Sequence, residues 1–533
     1  SVSSIVVSDV SRETAARRSW SLIPDRRRAA LRPLWAPAGG YMCSSVVTSR
    51  RMDPPESPDS ARPLDARGVP TDAEHDVDPL VTAAAVDADT GEGELERTIG
   101  LGGALAIGVG TMVGAGIFVF PGLAAARAGP AASLSFAIGA GVALLVALPT
   151  AELATAMPHS GGGYVYVSRA LGTGAGAVVG LGLWLGLVFA SAFYLVGLGS
   201  YAGQVLVELG VSLSVRPAIP LGVAFGVALT ALSLFGTENT ATLQNAIVVL
   251  LVGILALFLS YGSLDALGVF GTETTPERFV PPGGALAVVQ TAAFVFTSYL
   301  GFAQIATVAG DVESPGRTLP LAMVGSVLTV GGLYVVAIFV STSAFGSARL
   351  GAFGETAMVE VARAFVGLPG AVAIVAAGLL ATVSSANASI LSASRMVYAV
   401  SRDGLVPETA ARINRRYGTP HVALGLAGVP IVALTATGRV GLLAEVASVL
   451  HLVTYGLTCV ALIRFRRERP GWYDPSFRCP AGVVVAGGGA LASFGLVGFM
   501  QPASIAVGGG VMAAAYGWYR AYATDVDLEG ERT

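Results

Sequence analysis

Two glycines, Gly114 and Gly116, flank Ala115 in the middle of an apolar run, GVGTMVGAGIFVFPG from Gly108 to Gly122. A helix interrupted there turns the N–H groups of its second half toward whatever lies at the break, and such a helix N-terminus suits an anion. At membrane depth, freed backbone is tolerated only where it lines a cavity or meets a ligand. Gly110 and Gly114 also form a GxxxG pattern that suits close helix packing, and the run alone leaves both readings open. A second run, FVFTSYLGFAQIATVAGDVESPGRTLP from Phe294 to Pro320, is interrupted by Thr297, Ser298 and Gly301. Taken alone it is a polar seam between helices. Taken together, the two interruptions lie five helices apart, which is what an inverted repeat of five helices produces, with a solute site where the breaks face each other.

Ionisable groups inside the apolar runs are scarce, and each is a candidate for function. Glu152 lies near one end of its run, where it suits a gate or proton site, or equally a structural bond to a helix end. Glu445 and His451 share a later run, and His451 fits an interhelical hydrogen bond better than a proton relay. Asp311, Glu313 and Arg317, with Arg402 and Asp403, would form an ion-pair network at an inner gate or else a solvated loop. Every basic residue is arginine and none is lysine. A buried lysine can lose its proton and act as a movable charge, whereas an arginine cannot.

Other chemistries find no residues to carry them. Cys43, Cys459 and Cys479 are far apart in the chain, without metal-ligand spacing or a paired framework. No GxSxG, HExxH or His/Cys grouping is present, which argues against an enzyme, and no repeated pore motif argues for a channel. Neither a cofactor nor a nucleic-acid partner is expected.

The elements that would position these residues are membrane helices. Of 533 residues 53% are hydrophobic and 13% charged, and the apolar residues run in blocks of roughly 20, the length a helix needs to span a bilayer. The expected fold class is therefore an all-α membrane protein. Twelve spans are expected, at about 100–126, 131–156, 174–203, 218–236, 242–262, 285–309, 320–344, 370–399, 420–437, 442–463, 481–500 and 503–521. Arg169, Arg317, Arg402, Arg412 and the arginines from Arg464 to Arg478 fall in connections on one face, which by the positive-inside rule is the cytoplasmic one and holds both termini. Residues 1–97 form a tail rich in Pro, Ser, Ala and charge, whose composition is that of a disordered segment. It turns from basic to acidic at Met52, which leaves two readings of 1–51, a stretch that is not native or, with less support because it has no apolar core of signal-peptide type, a targeting peptide. The transporter domain is expected at 98–522, with a short cytoplasmic tail at 523–533.

Five stretches in order resemble the amino acid-polyamine-organocation transporter superfamily, close to its cationic amino acid transporter-like subgroup. They are GAGIFVFPG from Gly114, ELATAMPHSGGGYVY from Glu152, YLGFAQIATVAGDVESPGRTLP from Tyr299, SRMVYAVSRDGLVP from Ser394 and RFRRERPGWYDPSFRCP from Arg464. The resemblance covers about Thr98 to Pro480. It implies inverted repeats of five helices at roughly 100–262 and 285–463, broken first and sixth helices, and two peripheral helices. It also implies secondary active transport of an amino acid across the plasma membrane by alternating access. An exchanger, an amine or polyamine carrier, and a non-transporting amino acid sensor are the alternatives, and oligomeric state is left open.

Carried over residue by residue, the resemblance places an amino acid carboxylate on the N–H groups of Gly114, Ala115 and Gly116. The ammonium then faces carbonyls around Phe296, Thr297 and Ser298, as the dipole directions also require. Met112, Ile117, Tyr299 and Leu300 border the variable group. The carbonyls of Gly110 and Val113 with the hydroxyls of Ser384 and Ser385 resemble a sodium site of this fold, while Glu152 is the rival route for a proton. Two positions depart from the family pattern: Ala303 stands where an acid is frequent, and Leu251 where proton-coupled relatives carry a lysine.

Overall fold

The computed structural model describes residues 99–158, 161–211, 217–235, 240–269, 283–414, 417, 419–526 and 528, with backbone alone for 240–247. The expected N-terminal tail lies outside the described residues, as do 527 and 529–533 of the expected C-terminal one.

The long helices divide among the apolar runs. The first run gives α1 (Leu101–Val113), α2 (Gly116–Ala128) and α3 (Ala132–Ala156), followed by α4 (Gly163–Leu171), α5 (Thr173–Glu208), α6 (Ala218–Leu234) and α7 (Thr240–Ala266). After these come α8 (Gly284–Val295), α9 (Gly301–Thr307), α10 (Pro315–Phe345), α11 (Ser347–Ala352), α12 (Ala357–Val366) and α13 (Leu368–Arg402). The chain closes with α14 (His421–Thr435), α15 (Val440–Glu468), α16 (Gly482–Gly498) and α17 (Pro502–Tyr522). Among the described residues there is no β-strand, only isolated bridges. Lipid offers no partners for backbone groups, so a spanning chain satisfies them within helices.

Seven helical stretches among the described residues are long and apolar enough to cross a membrane, the first being the 56 residues Leu101–Ala156. Two shorter apolar helices, α6 and α14, and a pair, α16 and α17, bent by 120°, accompany them.

Both expected interruptions are present. Gly114 N–H still reaches Gly110 O at 3.3 Å, but the ladder restarts at Ala115, whose carbonyl accepts from Phe118 (3.2 Å) and Val119 (2.9 Å). The later run breaks between α8 and α9 through one tight turn, Phe296–Tyr299. The two broken runs pack on each other through α1 and α9. They touch backbone to backbone at Gly301, where a Cβ would lie 2.7 Å from Gly108 O and 2.8 Å from Met112 N. Helices in lipid gain nothing from hydrophobic exclusion of one another, so small residues that admit close contact mark their interfaces. Just before α1, Ile99 N–H donates to Asp311 O and Glu313 N–H to Ile99 O, each at 2.9 Å, tying the entrance of α1 to the exit of α9. Around this pair, α13 packs along α5, and α10 lies against α3 and α1.

Candidate functional site

The first break is walled by polar side chains from three other elements. Tyr334 of α10 donates to Met112 O at 2.6 Å and stands over Gly116. A Cβ on Gly116 would collide with that hydroxyl and lie 2.7 Å from Ser298 Oγ. Ser385 of α13 presses its hydroxyl against Gly114, where a Cβ would overlap it. Ser298 and Ser385 Oγ are both buried without a hydrogen-bond partner. The opening N–H groups of α2 come before its first internal bond, so they too await an acceptor. Two of the buried side-chain atoms without a partner thus lie beside these N–H groups, which makes the break a polar site in an apolar bundle.

At the second break, Thr297 is bound to α15. Its hydroxyl donates to Ala444 O at 2.8 Å and shares a 2.6 Å bond with Ser448 Oγ, which also accepts Thr297 N–H at 3.1 Å. Of the residues expected to border the variable group, Leu300 lines a cavity. Met112 and Ile117 are buried in the core, and Tyr299 turns toward α3, donating to Phe136 O at 2.8 Å. Ser384, expected beside its neighbour at the first break, also lines the cavity.

That cavity has a volume of about 710 Å³. It runs from Thr111, Leu300 and Ser384 at its head to Asp311 and the exposed Arg395 and Arg402 at its mouth. The opposite end of the bundle is bridged by an ion pair. Arg127 of α2 pairs with the buried Glu445 of α15 at 2.6 Å, and its guanidinium lies 3.6 Å from the centre of the Phe294 ring of α8. Ser504 of α17 donates to the other Glu445 oxygen at 2.7 Å. A smaller space of about 230 Å³ lies beside this pair.

Glu152 is 1% exposed and accepts four bonds. Arg466 Nε donates at 2.9 Å and Nη2 at 2.5 Å, Tyr473 Oη at 3.0 Å and Cys479 N–H at 2.7 Å. Burial first, then the carboxylate, raises the Tyr473 hydroxyl above its ordinary range and pushes the Cys479 thiol up to about 11, so both keep their protons. These bonds join the end of α3 to the end of α15 and to the segment after it. His451 lines the cavity, with Nδ1 2.8 Å from Ala447 O. Its bond is thus within α15 and not between helices as expected. At the mouth, Asp403 accepts from Tyr164 at 2.6 Å, and its neighbour Arg402 stands 3.9 Å away.

Sequence reasoning does not find Tyr334, Ser448 or Arg127. A lone tyrosine or serine in an apolar span gives no sign of its partner, and Arg127 has the look of a solvated loop residue until Phe294 and Glu445 are placed beside it. Among the described residues no group of His, Cys, Asp and Glu could hold a metal ion.

The pattern of the amino acid permease family matches residues 103–516. The methylthioribose transporter of Bacillus subtilis is 28% identical over 377 residues, covering 68% of this chain and 79% of that protein. The branched-chain amino acid permease BcaP of Bacillus subtilis is 27% identical (68% and 79% covered), and BcaP of Lactococcus lactis subsp. cremoris 30% (65% and 77%). Broken apolar helices around a cavity, together with a match over most of the chain, make this a membrane transporter that belongs to the amino acid permease family.

Proposed function

We propose that this transporter carries a neutral amino acid, or a solute of similar size and polarity, across the plasma membrane by alternating access, with its site between the two breaks. The observation that carries the reading is the packing of both interruptions on each other, with Tyr334, Ser298 and Ser385 around Gly114 and Gly116, next to a large cavity that their neighbours Thr111, Leu300 and Ser384 line. The carboxylate sits on the opening N–H groups of α2 and the ammonium near the carbonyls of Phe296, Thr297 and Ser298. Alternating access is supported by the asymmetry of the ends, one holding the large cavity and the other the Arg127–Glu445 pair.

Twelve spans follow if Leu101–Ala156 counts as two, the bent pair as two, and α6 and α14 as one each. Both termini then lie on the cytoplasmic, arginine-rich face, and the five-plus-five repeat accounts for the spacing of the two breaks. The relatives are named for methylthioribose and for branched-chain amino acids. Asp311 is the one acid among the described lining residues of the large cavity, and it stands near two arginines, which opposes a polyamine with several positive charges. For the driving ion, Ser385 Oγ, buried and without a partner against the first break, supports a cation held with the carbonyls of Gly110 and Val113 and with Ser384. Glu152, already held by four donors, makes the weaker proton route.

Uptake by the purified chain in proteoliposomes, competed by each of the twenty amino acids, methylthioribose and putrescine, tests the reading. Competition by neutral amino acids supports it. Competition by putrescine alone favours an amine carrier, and binding without flux a sensor.

A further inference from the structure

We infer that His451 sets substrate specificity by accepting a hydrogen bond from the solute's side chain, so that the preferred substrate carries a hydroxyl or amide donor there. This deepens the proposed transport function and rests on it. His451 is 3% exposed and lines the large cavity. Its Nδ1 lies 2.8 Å from the carbonyl of Ala447, an oxygen that can only accept, so Nδ1 carries the proton. Nε2 is therefore the acceptor, and no described residue donates to it. The ring edge formed by Nδ1 and Cε1 is packed on α5, where a Cβ at Gly186 would come within 2.7 Å of Cε1 and 2.9 Å of Nδ1. That edge of the imidazole is thus held against α5. One turn on, Tyr455 stands 6.1 Å from the imidazole, ring centre to ring centre, and packs against Phe296 and Phe302, the residues that flank the second break. Leu300 lines the same cavity, so the space beside His451 is continuous with the place assigned to the variable group. An acceptor that a bound solute strips of water and leaves unmet is costly, and a site built around one rejects the isostere that lacks the donor.

The test uses near-isosteric pairs, threonine with valine, asparagine with leucine and glutamine with methionine, as labelled solutes for the full chain in proteoliposomes. The inference expects kcat/KM for the donor-bearing member of at least one pair to exceed its partner by about five- to tenfold, the worth of one neutral hydrogen bond. His451→Leu should erase that preference, and His451→Gln, which keeps an acceptor, should restore part of it. Equal or reversed preference in all three pairs for the unaltered chain overturns the inference while leaving amino acid transport standing. A preference that His451→Leu retains at equal membrane abundance also overturns it. No uptake of any of the six overturns the transport reading itself. A His451→Leu chain that fails to insert still leaves the preference of the unaltered protein as a decisive measurement.

Discussion

Arg466 grips Glu152 through two nitrogens across 314 residues of chain, and the same carboxylate takes a hydroxyl from Tyr473 and a backbone N–H from Cys479. The pair fastens the end of α15 to the end of α3, and Tyr473 and Cys479 fasten the loop that follows. With Glu152 1% and Arg466 26% exposed, removal of the arginine leaves a buried carboxylate with no opposite charge and only the Tyr473 hydroxyl and the Cys479 N–H as donors. Arg466→Ala should cost about 3–5 kcal/mol. It should appear as a lower melting temperature in detergent and as faster maleimide labelling at Cys479. In the intact protein that thiol is buried, and since Arg466 lowers its pKa, loss of Arg466 favours the protonated thiol, so faster labelling would report exposure alone. Unchanged labelling of the Cys479 peptide would show that the clasp is not what shields it.

A second expectation concerns Tyr334 and Gly116. Since a Cβ at Gly116 collides with the Tyr334 hydroxyl, Gly116→Ala should displace it from Met112 O and lower uptake by about tenfold. Tyr334→Phe removes the colliding atom and should recover part of the loss in the double variant. Strictly additive effects would mean that the two residues do not meet during transport.

These two cases show what was legible in the sequence. The breaks could be located because glycine pairs and hydroxyls interrupt otherwise apolar runs, and such interruptions are rare enough to read. The partners across the bundle could not, because Tyr334 and Arg466 acquire their roles from helices 222 and 314 residues distant in the chain. Glu152 was visible as an acid in an apolar run, but its four donors arrive from a segment that reads only as a basic loop. The direction of Tyr299 was hidden as well, since a residue at a helix break points where the local turn sends it.

The ion prediction rests on Ser385. Replacement of sodium by choline at fixed pH should reduce uptake, and Ser385→Ala with Ser384→Ala should abolish that dependence. Sodium-independent uptake that collapses with Glu152→Gln at equal membrane abundance would establish the proton route instead.

The Arg127–Glu445 pair should act as an outer latch. Glu445→Gln weakens the bond while keeping the Ser504 contact possible, so it should shift the population toward a state open at that end. A cysteine at Gln290, beside the small outer space, should then react faster with an impermeant maleimide than in the unaltered protein. An unchanged rate would mean that the closed end is held by packing and not by charge.

The central claim is that the solute binds where the two breaks meet, and Gly116→Leu tests it most directly. Binding and uptake of the best competitor should be measured for the purified variant beside the unaltered chain at equal reconstituted amount, with a melting curve for each. The account predicts a variant that is inserted and folded yet shows neither saturable binding nor uptake, because the side chain fills the approach to the α2 N–H groups. Affinity and uptake equal to those of the unaltered chain would contradict it and assign the glycines to packing alone.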